Sequence, residues 1–113
     1  MKTLLDVKQA FMEQHELALQ LSPVTDGKRA ISAAKKRLQF LNKVVIYLES
    51  SPKAEYITGS IRALKQKYND LMEKCPYLDS KNPEEKKVLK KWQEEHEITK
   101  IKVQLKFLNY IVN

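Results

Sequence analysis

Apolar residues recur along this chain at steps of three and four, and the clearest row lies between Ile31 and Leu48. It reads Ile31, Ala34, Leu38, Leu41, Val45, Leu48. That is a seam at heptad spacing, the pattern of a helix packed nearly parallel to its neighbours. A second row, Ala30, Ala33, Phe40, Val44, Tyr47, flanks it and predicts contact with two neighbours. The opposite side reads Lys28, Arg29, Ser32, Lys35, Lys36, Gln39, Lys43, with no acid among them. The helix is predicted to begin between Pro23 and Lys28 and to end near Glu49.

The same periodicity marks three more helices. The first is expected from about Leu4 to Leu21, along Leu4, Val7, Phe11, Gln14, Ala18, Leu21. Leu5, Met12 and Leu19 widen this row and predict a helix well buried on one side. Thr3 and Asp6, three residues apart, have the spacing of a capping box. The third helix is expected from Pro52 to about Cys75, along Ala54, Ile57, Ile61, Leu64, Tyr68, Leu71, Cys75. Ser22-Pro23, Ser51-Pro52 and Asn82-Pro83 punctuate the chain at intervals of roughly thirty residues. Each pair places a good N-cap before a residue that cannot continue a helix but suits its first position. Asn82-Pro83-Glu84-Glu85 is the strongest of these signals.

The fourth helix is expected to be the longest, from Pro83 towards Val112. Its first half is charge-dense, with Val88, Leu89 and Trp92 as apolar contacts. Its second half carries the row Ile98, Ile101, Leu105, Leu108, Val112, with Val103, Phe107, Tyr110 and Ile111 outside it. Ile101 to Phe107 also alternates as a strand does, but a lone strand in a helical chain lacks a partner. The expected fold is all-α: a single-domain antiparallel four-helix bundle with heptad-like seams and a long C-terminal helix. Helices of about 24 residues span roughly 36 Å and one near 30 residues about 45 Å. The long helix is therefore expected to overhang its neighbours and to present Phe107, Leu108, Tyr110, Ile111 and Val112 as an apolar contact for a protein partner or a second copy.

Composition narrows the function classes. At 113 residues the chain is long enough to bury about two-thirds of its unfolded surface. Its two glycines disfavour a turn-rich β fold. The net charge of +7 points to an acidic partner. Arginine, the residue suited to bidentate phosphate recognition, occurs only at 29, 37 and 62, which argues against specific base readout. Lys28 with Lys35, and Arg29 with Lys36 and Lys43, recur at intervals of seven and form a line about 20 Å long. A phosphate backbone fits such a line, with salt-sensitive and sequence-independent affinity. The alternative is an ordinary solvated face whose counter-charges, such as Glu13, Glu16 or Asp70, lie on neighbouring helices.

Catalytic and metal chemistry find little support. A bundle di-iron site needs Glu-x-x-His pairs, and Met12 and Gln93 stand three residues before His15 and His96. Cys75 is the sole cysteine and falls on a helix seam, so it reads as a structural thiol in a reducing compartment. Thr25 to Arg29 lacks the spacing of a phosphate-binding loop. No apolar run predicts a leader or a membrane span, since Asp6 and Lys8 interrupt the N-terminal segment. The sequence thus predicts a cytoplasmic, non-catalytic interaction or assembly module, or a component of a particle assembled there. No cofactor, metal, membrane or small-molecule substrate is expected. It docks or self-associates through the end of the last helix and offers Lys28, Arg29, Lys35, Lys36 and Lys43 to an acidic partner. The alternative function is sequence-independent nucleic-acid binding through those five side chains.

Overall fold

The structure is a computed structural model describing all residues, 1–113. The chain is all-helical and contains no strand. Its elements are α1 (Leu4–Leu19), α2 (Gly27–Glu49), α3 (Ala54–Glu73), α4 (Pro83–Glu95) and α5 (Ile98–Val112). Two compact units emerge, one comprising Met1–Lys53 with Tyr110–Asn113, the other Ala54–Asn109.

In the first unit α1 and α2 pack against each other as a hairpin. The capping box at Thr3 forms as its spacing predicts. The Thr3 hydroxyl accepts from the Asp6 amide at 3.2 Å, and the Asp6 carboxylate accepts from the Thr3 amide at 3.0 Å. Thr3 thereby holds the Asp6 carboxyl below its ordinary pKa, first through its backbone N–H and then through its hydroxyl. The turn after α1 is tied by Asp26, whose carboxylate accepts from the Ser22 amide and the Thr25 hydroxyl. Gly27 then opens α2 at φ +77°, a conformation that a side chain would strain.

Val7, Ala34, Leu41, Val44 and Ile111 are the buried apolar side chains of this unit. Ala34 and Leu41 come from the main row of α2 and Val44 from its flanking row, so the buried face is centred between the two. Leu5, Met12 and Leu19 do not widen the buried side of α1. They are 65%, 63% and 72% exposed. The reason is rotational: Val7 faces α2, and Leu5 and Met12 lie well over 100° around the helix from it. The C-terminal turn is clasped by the N-terminus. The Lys2 amide donates to the Ile111 carbonyl at 2.7 Å, and Lys2 Nζ lies 4.1 Å from the centre of the Tyr110 ring. Tyr110 meets Phe40 edge to face at 5.3 Å.

The second unit holds α3, α4 and most of α5, with Ile57, Ile61, Ile98, Ile101 and Leu108 as its buried apolar side chains. Asn82 caps α4 by accepting from the Glu84 amide at 3.0 Å, with Pro83 in the first turn. Tyr77, at φ 55°, and Leu78 are each 49% exposed in the connection before α4.

The single long helix expected from Pro83 to Val112 is two helices. α4 ends with His96 as C-cap, Glu97 adopts φ 53°, and α5 begins at Ile98. The apolar pattern explains the break. Leu89 and Ile98 are nine residues apart, about 2.5 turns, so in one straight helix they point to opposite sides. A left-handed residue between them resets the phase. It leaves Leu89 and Trp92 half-buried and Ile98 fully buried. The alternating stretch Ile101 to Phe107 is helical, with Ile101 buried and Val103 60% exposed. A helix of 15 residues spans about 22 Å, so the overhang reasoned from a 45 Å helix does not apply.

Candidate functional site

Lys28, Arg29, Lys35, Lys36 and Lys43 are all exposed on α2. At 100° per residue they fall within an arc of roughly 120°, shared with Ser32, Gln39 and Ile46. The helix carries six basic side chains and one acid, Glu49, at its last position. None of the five makes an ion pair. Glu13 and Glu16 of α1 therefore do not supply paired counter-charges. The ion pair that does form joins Glu97 to Lys100 at 3.7 Å, between side chains that are both 66% exposed.

The charge placement on α2 also works against the helix itself. Lys28 and Arg29 sit in the first turn, where the macrodipole is positive and no acid follows. Each such cation costs a few tenths of a kcal/mol, up to about 1 kcal/mol. Asp26 occupies the N-cap position but makes no side-chain cap bond, because its carboxylate serves the preceding turn. The uncapped amides, the dipole and two cations thus reinforce one another at one end of the basic face, and all of them attract anions. Arg37 stands on the other flank of α2. There it borders an open groove of about 600 Å³ with Gln14, Leu17, Gln20 and Ala33.

The apolar candidates at the end of α5 are divided by the fold. Ile111 is fully buried and Leu108 nearly so, while Phe107, Tyr110 and Val112 are half-buried. Tyr110 is engaged by Lys2 and Phe40. The five residues do not form one exposed patch. Ile111 takes the buried place that the heptad row assigns to Val112; the last turn belongs to the unit of α1 and α2, and the Ile111 carbonyl accepts from the Lys2 amide.

The remaining chemistry-bearing groups stand apart. His15 stacks on Phe11 at 6.4 Å, and His96 stacks on Trp92 at 4.2 Å with Nδ1 2.8 Å from the Trp92 carbonyl. Cys75 is a free, half-buried thiol beside the Pro76 carbonyl. No group of three His, Cys, Asp or Glu side chains is placed to share a metal ion. No helix is long and apolar enough to cross a membrane.

One surface escaped the sequence reading. Leu5, Met12 and Leu19 form an exposed row on α1, separate from the inward row of Val7, Phe11 and Gln14. The available signal was their own seven-residue spacing, offset from the seam that the hairpin uses. No family profile, curated protein or solved structure matches this chain.

Proposed function

We propose that this protein is a non-catalytic interaction module that engages an acidic partner through the exposed face of α2. The observation that carries this reading is the set of five exposed, unpaired cations on one arc that contains no acid. Their first-turn members oppose the helix dipole, a cost to folding that an anionic partner would reverse. Docking through the end of α5 has less support, since Leu108 and Ile111 are buried. An acidic protein surface suits the lysine-rich face, because compact ammonium charges need no planar, bidentate partner. A nucleic-acid backbone is the second reading, supported by the roughly 20 Å length of the line.

Fluorescence anisotropy with a polyglutamate peptide and with generic DNA and RNA duplexes at low salt tests both readings. Peptide binding that weakens in the K35E/K36E/K43E triple variant supports the acidic-protein reading. Duplex binding with a log–log salt slope of about −4.5 supports the second, because five phosphate contacts contribute about −0.9 each. Absence of binding to every probe, or affinity indifferent to the triple reversal, refutes the proposal.

A further inference from the structure

α1 carries two apolar rows on different sides. The inner row packs in the α1–α2 hairpin, with Val7 fully buried. The outer row, Leu5, Met12 and Leu19, repeats every seven residues and is 65%, 63% and 72% exposed. Seven-residue spacing is the repeat that lets two helices stay in register over several turns. With these residues at heptad position d, Asp6, Glu13 and Gln20 fall at e, and Lys8 and His15 fall at g. One flank of the row is acidic or neutral, and the other is basic.

That division selects the occupant and its direction. In a parallel pair, g of one helix faces the e position five residues further along its partner. Lys8 then meets the partner's Glu13, and His15 meets the partner's Gln20. Two-fold symmetry makes each contact twice. In an antiparallel pair g faces g and e faces e, which sets Lys8 against basic groups and Glu13 against acids. Lys8 and Glu13 are both exposed, and neither makes an ion pair within the chain.

We propose that the outer row of α1 is covered by a second copy of this chain, in a parallel two-stranded pairing of α1 with α1. Each of the three apolar side chains offers about 100 Å², and the stems of Lys8, Gln9, Glu13 and Glu16 bring the face to roughly 500 Å² per copy. The pair buries about 1,000 Å² in all, the lower end of specific interfaces, so the dimer is weak and reversible. Gln9 and Glu16 occupy position a. Polar a residues favour two strands in a fixed register at a cost in stability, and the two Glu16 carboxylates repel each other near the axis. The hairpin stays intact in this arrangement, because α2 holds the other side of α1. The dimer displays two copies of the basic face, but it does not depend on what that face binds.

Sedimentation equilibrium of the full chain at low salt, from about 10 μM to 1 mM, tests the proposal. The expected result is a monomer–dimer equilibrium that M12E abolishes. Lys8→Glu and Glu13→Lys each weaken it by about tenfold, and the double variant K8E/E13K returns it to within about twofold of the original. Glu16→Leu tightens it by about tenfold or more. All four substituted positions are exposed, so circular dichroism at monomeric concentration should show each variant folded. A wild-type chain that stays monomeric at 1 mM overturns the proposal. So does an association constant unchanged by M12E, or a double variant no better than the single ones.

Discussion

Replacing Glu97 by glycine should stabilise this protein, although glycine is ordinarily the worst non-proline residue in a helix. Glu97 adopts φ 53° between His96, the C-cap of α4, and Ile98, the first residue of α5. A residue with a Cβ pays about 1–2 kcal/mol for that left-handed conformation. Glycine removes this strain but enters folding with about 0.5–1 kcal/mol more chain entropy to lose. The Glu97–Lys100 pair is lost, but both side chains are 66% exposed and 3.7 Å apart, so its loss costs at most a few tenths of a kcal/mol. The net gain is about 0.2–0.8 kcal/mol, which raises the melting temperature by roughly 1–4 °C.

Glu97→Ala separates this account from a continuous helix. It keeps the left-handed strain and loses the ion pair, so it should be neutral or slightly destabilising. In an unbroken helix the order reverses: glycine costs about 0.5 kcal/mol relative to glutamate, and alanine gains a few tenths. Thermal melts followed by circular dichroism, with urea titrations to check that the transition stays two-state, measure both variants. A lower melting temperature for E97G than for E97A refutes the break at Glu97 and the phase argument behind it.

Two further outcomes follow from burial and from the capping box. Ile111→Ala should cost about 2–5 kcal/mol and Val103→Ala no more than about 0.5 kcal/mol, measured by urea denaturation. If Ile101, Val103, Leu105 and Phe107 shared one covered face, as a strand requires, the Val103 variant would cost several times more than that. Asp6→Asn tests the capping box through pH. The Asp6 carboxyl is depressed in the folded chain, so its stabilisation is present above its unfolded value and is lost as pH falls through the folded one. The deficit of D6N against the wild type in thermal melts should therefore be full at pH 7 and shrink below about pH 4. A deficit that stays constant down to pH 2 refutes an ionic contribution from the cap.

Much of the secondary structure is legible in the sequence because it is set within one turn of chain. The Thr3–Asp6 box and the Asn82–Pro83 start need only neighbours three residues away. The seam of α3 likewise needs only its own period, and Ile57 and Ile61 are buried where that period places them. The basic face of α2 was equally readable, since solvent-facing positions follow once the apolar stripe is known. The break after His96 was present in the sequence as a half-turn mismatch between Leu89 and Ile98. Heptad rows read separately in the two halves hide that mismatch.

What the sequence could not decide is which apolar rows the rest of the molecule covers. On α1, Val7 and Met12 are both good seam residues, yet one is fully buried and the other 63% exposed. On α5, Ile111 is fully buried while its neighbour Val112 is only half so. Periodicity fixes the angle between two rows on one helix, because that angle depends only on residues per turn. It does not fix which row meets a neighbour. That depends on where α2 lies along α1 and on the bond from the Lys2 amide to the Ile111 carbonyl, which joins positions more than one hundred residues apart.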